Sequence, residues 1–352
     1  MRAWVLANPA PVETSPLALQ DLPVPEPGPG QVRLRVRACG MCHTDLHIVE
    51  GELASARRGV VPGHQVVGVV DAFGPPAGPG PQPLQLGQRV GLPWLFDSCG
   101  QCRSCQEGAE NLCERARFTG YHVDGGYAEY VVAPAASVVV LPERYSDVQA
   151  APLLCAGLIG YRSLKVAGVR PGERLALFGF GASAHLTLQV AASWGCEVLV
   201  FSRQERHRRL AVELGAVWAG EAGQAPPFEV DRAITFAPAG WLVPRALEVL
   251  RRGGTLAINA VHLDRLPEMD YRLLYWERRI TSVANLTRQD AREFMALAGR
   301  LPLRVHAEAV GFEAANQALA RLKRAEVDAA LVLEVARPAP QGASGSGAGP
   351  AG

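Results

Sequence analysis

Cys39-Gly40-Met41-Cys42-His43-Thr44-Asp45-Leu46-His47 brings thiols, a hydroxyl, a carboxylate and two imidazoles into one short stretch. Two further soft-ligand candidates lie elsewhere in the chain: His64 in Pro62-Gly63-His64-Gln65 and Cys155 in Leu154-Cys155-Ala156-Gly157. Two thiolates and one imidazole on tetrahedral zinc leave one position open, which is the arrangement of a catalytic rather than a structural site. Long separation along the chain is no objection, because such sites are assembled in space.

A second cluster is local. Cys99, Cys102, Cys105 and Cys113 form a C-x2-C-x2-C-x7-C pattern, with Gly100 and Gly108 allowing tight turns between them. Four thiolates make a closed zinc site that needs no open position and can staple a lobe lacking an apolar core of its own. An iron–sulfur cluster is the competing reading, since short cysteine spacings also serve iron.

The third candidate is Gly179-Phe180-Gly181-Ala182-Ser183-Ala184, which matches G-x-G-x-x-G/A. The first glycine permits a tight turn, the second lets backbone approach a diphosphate, and the third position must be small for a helix to pack on the preceding strand. Backbone N–H groups at the helix start would face the phosphates. About 20 residues further on, a fold of this type that prefers NAD presents an acidic residue to the ribose. Here the position holds Ser202-Arg203, followed by Arg206, His207, Arg208 and Arg209. A carboxylate would repel a 2′-phosphate, whereas Ser202 and Arg203 can bind one. The cofactor expected is therefore NADP in preference to NAD, with Arg206 to Arg209 read as a solvated helix face.

The elements that must position these groups change character along the chain. Gln31 to Ala38 alternates polar and apolar residues, the pattern of a half-buried strand. It places Cys42 in the loop or short helix after a strand end. Gly63 to Val70 reads as another strand with His64 at its entry, and Gly125 to Val132 and Val138 to Leu141 continue a strand-rich, glycine-punctuated first domain. Ala150 to Leu164 is expected to form a helix pair carrying Cys155. From Arg174 short apolar strands alternate with helical stretches, which predicts a parallel sheet covered by helices on both faces. Helices at 288–298 and 311–322 and a strand at 330–335 close the pattern. The last segment, 341–352, contains only glycine, alanine, serine, proline and glutamine and is expected to be disordered.

Composition narrows the class. A chain of 352 residues predicts two domains. With 35 basic and 34 acidic side chains there is no electrostatic reason to expect nucleic acid or an acidic membrane as partner. Neither a signal-like apolar block at the N-terminus nor a run of about 18 apolar residues is present, so a soluble cytoplasmic protein is expected. In that setting the eight cysteines are better read as metal ligands than as disulfides, with Cys39 and Cys196 as small buried residues.

Taken together, C-G-x-C-x-T-D at Cys39 to Asp45, the Gly63-His64 step, the four-cysteine lobe, Cys155 and the nucleotide turn occur in the order seen in the zinc-dependent medium-chain alcohol dehydrogenases, which this sequence resembles over all but its tail. The resemblance implies an α/β chain with a β-rich, GroES-like catalytic domain (1–150, with a structural zinc lobe at 95–115). A Rossmann domain with a doubly wound parallel sheet (151–285) would follow, and residues 286–340 would return to the catalytic domain. It implies two zinc ions per subunit. Cys42, His64 and Cys155 would hold the catalytic one, and Cys99, Cys102, Cys105 and Cys113 the structural one. Thr44 matches the hydroxyl that meets the substrate oxygen, His47 the distal member of its proton relay, and Asp45 a carboxylate that orients a ligand imidazole. Gly179, Gly181, Ala182, Ser183, Ala184, Ser202, Arg203 and Asn259 would bind the cofactor. The activity implied is reversible oxidation of a primary or secondary alcohol to an aldehyde or ketone, by a homodimer or homotetramer. The alternatives are an NADPH-dependent reductase of another carbonyl or activated double bond, and a non-catalytic nucleotide-binding relative. One departure stands out: the family commonly has glutamate after the ligand histidine, and here the residue is Gln65. Losing that carboxylate leaves the metal effectively more electrophilic.

Overall fold

In the computed structural model, residues 1–53, 57–77, 84–327 and 329–335 are described; the glycine-rich segment 341–352 lies outside them. The first strands, β1 (Arg2–Leu6) and β2 (Leu17–Asp21), pair antiparallel. They lead into β3 (Gln31–Met41), which is followed without a loop by α1 (His43–Glu50). In β3 the expected alternation holds: Val32, Leu34 and Val36 are buried, and Arg33 and Arg35 are not. Its last residues, Ala38 to Met41, are all buried, so both faces of the sheet are covered where the chemistry begins.

The sheet around β3 collects β4 (Gln65–Phe73), β5 (Arg89–Leu92), β8 (Tyr130–Pro134) and β9 (Val139–Val140). Between β5 and β8 the chain builds a small lobe from β6 (Leu95–Asp97), α2 (Arg103–Gln106) and β7 (Arg117–Phe118). The core of that lobe is little more than Leu95, Cys113 and Ala116 with Phe118 and the remaining cysteines packed on it. It is far too small to hold the lobe by burial alone, in keeping with a metal staple.

From Ser146 the chain becomes helical: α3 (Asp147–Pro152), a π-helical turn over Leu153–Gly157, and α4 (Leu158–Ala167). This corrects the expected helix pair. Pro152, Leu153, Gly157 and Leu158 all keep right-handed helical backbone, so the path is continuous and only widens around Cys155. The start lies earlier than the expected Ala150 because Ser146 and Gln149 form a reciprocal cap.

The second sheet is wholly parallel: β10 (Arg174–Phe178), β11 (Glu197–Phe201), β12 (Trp218–Gly220), β13 (Val230–Thr235), β14 (Leu250–Ile258) and β15 (Arg279–Ser282), in the order β12-β11-β10-β13-β14-β15. Helices α5 (Ala182–Ser193), α6 (Glu205–Glu213) and α7 (Leu242–Glu248) make crossovers. Stacked Phe178 and Phe201, 4.3 Å apart across paired positions, fix the register at the carboxyl ends of β10 and β11. The strand order reverses between β10 and β13, and ligands of such sheets bind outside the carboxyl ends at that point.

The chain then returns. α8 (Arg288–Arg300) is capped by Thr287 and Asp290, and fully buried Asp290 receives Arg162 at 3.0 Å and Lys165 at 2.8 Å from α4. Next come β16 (Ala307–Gly311), which no sequence pattern announced, α9 (Ala315–Lys323) and β17 (Ala330–Glu334). β17 lies antiparallel beside β3, with Leu333 opposite Cys39 and Leu331 opposite Met41. The chain's last strand therefore braces the end of β3 that launches α1. Among the described residues no helix is long and apolar enough to cross a membrane.

Candidate active site

Cys42 is the N-cap of α1. Its sulfur accepts the Thr44 backbone N–H at 3.4 Å, while Asp45 reaches back so that its Oδ2 accepts the Cys42 N–H at 2.9 Å. This is a capping box with cysteine and aspartate in its two roles. Local sequence thus fixes both side chains, and the cap belongs to Cys42 rather than to half-buried Thr44. The other oxygen of Asp45, Oδ1, lies 3.0 Å from Nδ1 of His64. Asp45 is completely buried and His64 nearly so. With Nδ1 committed to the carboxylate, Nε2 is the ring atom left to face Cys42 Sγ, at 3.4 Å.

His64 enters β4 from Gly63, whose φ of +98° is a left-handed conformation. A Cβ there would also meet the Tyr127 ring and the sulfur of Cys39, 2.8 Å away. Cys155 arrives from the other side on the π-helical turn, and the ligand atoms of Cys42, His64 and Cys155 all lie within 4.8 Å of one another. Trp94 stands edge-on to His64 with ring centroids 5.0 Å apart, and Tyr121 stacks on Trp94. Phe96 and Tyr121 are both buried in the core.

The electrostatics of this pocket favour an anionic thiolate. A hydrogen bond with Cys155 holds Cys42 well below the ordinary thiol range in spite of burial, and the charge of His64 adds to it. That same bond, together with burial, pushes Cys155 up. Burial works against the His64 imidazolium, but Asp45 and Cys42 together outweigh it and hold the ring above its usual value. Two thiols, one imidazole already oriented by a carboxylate, and a shared ligand distance are what a tetrahedral zinc with one free position requires.

The four-cysteine group also assembles: the sulfurs of Cys99, Cys102, Cys105 and Cys113 lie within 4.8 Å of one another. Cys102 N–H points at Cys99 Sγ (3.4 Å) and Cys99 N–H at Cys113 Sγ (3.5 Å). Backbone donors at Gln101 and Cys102 hold the Cys99 thiol at about 5, so it is a thiolate at neutral pH. The lobe is tied to the rest of the chain by Asn111 Nδ2 donating to the Ala284 carbonyl at 2.6 Å and by Arg288 N–H donating to Glu110 at 2.8 Å.

At the nucleotide turn, Gly179 has φ +91° and a Cβ there would stand 2.9 Å from the Ala237 nitrogen. Gly181 is the N-cap of α5 with no side-chain partner, so the N–H groups of Ala182, Ser183 and Ala184 are left for a ligand. Ala184 is fully buried against the sheet, the close packing its small size allows. Asn259 follows the carboxyl end of β14, its N–H bonded to the Thr235 carbonyl. Beyond β11, Ser202 is buried with its hydroxyl 3.5 Å from His207 Nδ1, and Arg203 is exposed. Arg208 differs from the expected solvated face. It is half-buried and donates to the carbonyls of Ser202 and Arg203 and to Glu221, holding the tip in shape.

Two partners were not visible in the sequence. His47 Nδ1 is hydrogen-bonded to Glu52, and fully buried Tyr127 packs its ring against Gly63, next to His64. Glu52 lies just past the end of α1, where helix periodicity no longer applies, and Tyr127 is remote in sequence.

The sequence model of the alcohol dehydrogenase GroES-like domain matches residues 28–143. The chain is 46% identical over 335 residues to a probable alcohol dehydrogenase, AdhA, of Mycobacterium tuberculosis (strain CDC 1551 / Oshkosh), covering 95% of this chain and 97% of that one. It is 33% identical to an alcohol dehydrogenase of Geobacillus stearothermophilus, covering 91% and 96%. Among solved structures, a cinnamyl alcohol dehydrogenase of Sorghum bicolor superposes with a TM-score of 0.85 at 28% identity, over 95% of this chain and 97% of that one. Fold, paired metal clusters and relatives agree: this chain belongs to the zinc-dependent medium-chain alcohol dehydrogenase family. It is a zinc-dependent, NAD(P)-linked alcohol dehydrogenase with a GroES-like domain and a Rossmann sheet.

Proposed function

We propose that Cys42, His64 and Cys155 hold the catalytic zinc and that Cys99, Cys102, Cys105 and Cys113 hold the structural one. The observation that carries this reading is the His64 Nδ1 to Asp45 bond, which aims the opposite ring nitrogen toward the two thiols gathered within 4.8 Å. A zinc held there would supply Lewis acidity toward the substrate oxygen, and a nicotinamide bound at the turn would supply the hydride chemistry. The chain's own residues do the rest. Thr44 holds the substrate hydroxyl proton, His47 takes it onward, and Glu52 on His47 Nδ1 fixes which ring nitrogen faces inward. Partly buried Trp94, edge-on to His64 and backed by Tyr121, offers an apolar wall there, which suits an apolar alcohol or aldehyde. Gln65 is buried with its side chain over Gly40, so the position after the ligand histidine adds no charge to the site.

NADP is the cofactor we favour over NAD. Ser202 and Arg203 follow the carboxyl end of β11, where neither residue is a carboxylate, and the nearby Glu205 and Glu221 are engaged by Arg209 and Arg208. A charged hydrogen bond of this kind is worth about 1.5–3 kcal/mol. Arg203→Ala is therefore expected to raise KM for NADPH about 10- to 100-fold and to leave KM for NADH nearly unchanged. The assay follows reduced-nicotinamide absorbance with both cofactors and a panel of aliphatic and aromatic aldehydes. An equal effect on both cofactors would remove the 2′-phosphate reading while leaving the zinc reading intact.

The division into 1–150, 151–285 and 286–340 is kept as the proposed domain plan. A homodimer or homotetramer is also proposed, supported by β15, whose outer edge has no partner strand among the described residues, and by exposed Tyr271 and Tyr275 nearby. Eight unpaired cysteines suit the reducing cytoplasm, where we place the protein.

A further inference from the structure

Asp45 is a carboxylate with no solvent exposure, and the hydrogen bonds from His64 Nδ1 and the Cys42 N–H occupy only one site on each of its oxygens. An ionised carboxylate accepts at about four sites, so burial leaves this one short of donors. Tyr127 also has no exposure, its hydroxyl has no hydrogen-bond partner among the described residues, and after burial the Asp45 charge is the strongest influence on its phenol. A buried hydroxyl without a partner is rare enough in a folded chain to require a reason.

The ring cannot turn away. The Tyr127 N–H donates to the Pro62 carbonyl at 3.0 Å, and its carbonyl accepts the Trp4 N–H at 2.8 Å. The neighbouring Gly126 N–H donates to the Gly63 carbonyl at 2.8 Å. Ring carbons of Tyr127 occupy the space that a Cβ on Gly63 would need, directly beside His64. The segment that carries His64 is therefore built around this ring.

Resting on the zinc reading given above, we propose that Tyr127 is a positioning residue: its hydroxyl donates the third hydrogen bond to Asp45 and so holds the His64 imidazole in its ligand orientation. Burial, with the adjacent Asp45 charge, keeps the phenol protonated far above neutral pH, so toward Asp45 it acts only as a donor. A donor that stabilises the anionic carboxylate strengthens its grip on the Nδ1 proton, and partners of a ligand histidine typically govern metal affinity by 10- to 100-fold.

The test is Tyr127→Phe, which keeps the ring and its packing and removes only the oxygen. Zinc release from the full-length protein to a chromogenic chelator is followed for both metals, with the four-cysteine zinc as internal control. The expected result is release about tenfold faster from the Cys42–His64–Cys155 site, with release from the four-cysteine site unchanged. In an Asp45→Asn background the same Tyr127→Phe change is expected to add nothing, because the acceptor it serves is altered. Release at wild-type rate from both sites would overturn the proposal. So would faster release from both, which reports general loosening, or an undiminished effect in the Asp45→Asn background. Wild-type protein that binds one zinc per chain rather than two would instead overturn the three-ligand reading, and this proposal with it.

Discussion

Cys42→Ser is expected to lower kcat/KM by about 10³- to 10⁴-fold while leaving the fold in place. A metal Lewis acid contributes several kcal/mol to the transition state, and at about 1.36 kcal/mol per tenfold in rate, roughly 4–6 kcal/mol gives that loss. Serine is the informative replacement because Cys42 has two jobs. Its sulfur caps α1 by accepting the Thr44 N–H, and it is one of the three ligand atoms gathered with His64 and Cys155. A serine hydroxyl can still cap the helix, since it is among the preferred N-cap groups, but at neutral pH it is a poor partner for zinc. The measurement is zinc content alongside kcat/KM and thermal unfolding. The expected protein holds one zinc per chain in place of two, unfolds near the wild-type temperature and is almost inactive. Activity within tenfold of wild type in a protein holding one zinc would sink the assignment of Cys42.

The second large effect is on stability. His185 lies on α5 just beyond the nucleotide turn, is buried, and has an Nε2 atom with no partner among the described residues. Its ring meets His306 edge-on at 4.9 Å and stands beside Phe180 at 6.3 Å. Burial, aided by the His306 charge, pushes the imidazole down to about 4. In the unfolded chain the same ring titrates near about 6.5. The folded value is the lower, so between the two the unfolded chain binds the extra proton and stability rises with pH. The contribution is therefore fully present above about pH 6.5 and is lost as pH falls toward about 4. The gap, at about 1.36 kcal/mol per pH unit, is worth about 3 kcal/mol. Urea unfolding of wild type and His185→Gln at about pH 7 and about pH 4.5 isolates this group from the carboxylates and the metal sites. Glutamine cannot take the proton, so the variant is expected to lose about 2–3 kcal/mol less than wild type between the two conditions. Parallel losses in both proteins would remove His185 as a source of acid sensitivity. Neither His185 nor His306 shows a partner in the sequence. The contact joins a helix of the parallel sheet to the returning segment near Arg304, and only the folded chain brings them together.

Several features with a local cause were legible in the residues themselves, although the Ser146 and Gln149 cap of α3 and the His47–Glu52 bond were not among them. Cysteine spacing announced the four-thiol lobe, since four ligands within fifteen residues can close on one ion without help from the rest of the chain. The glycine pattern announced the nucleotide turn, because the φ of Gly179 and the bare N-terminus of α5 are properties of those residues. The capping of α1 by Cys42 and Asp45 is local in the same sense, and so is the alternation that makes β3 a half-buried strand. Tertiary structure decided what depends on distant segments. Cys155 reaches Cys42 through a π-helical turn, and nothing in Leu153 to Gly157 distinguishes that turn from an ordinary helix before it is packed. β17 finds β3 across nearly the whole chain, and Arg208 leaves its solvated face because the carbonyls of Ser202 and Arg203 and the Glu221 carboxylate converge on it. The set of groups around Asp45 is decided in the same way. A buried carboxylate gathers whatever donors the fold places near it, so His64 and Tyr127 become its neighbours through burial, and no spacing in the sequence records that.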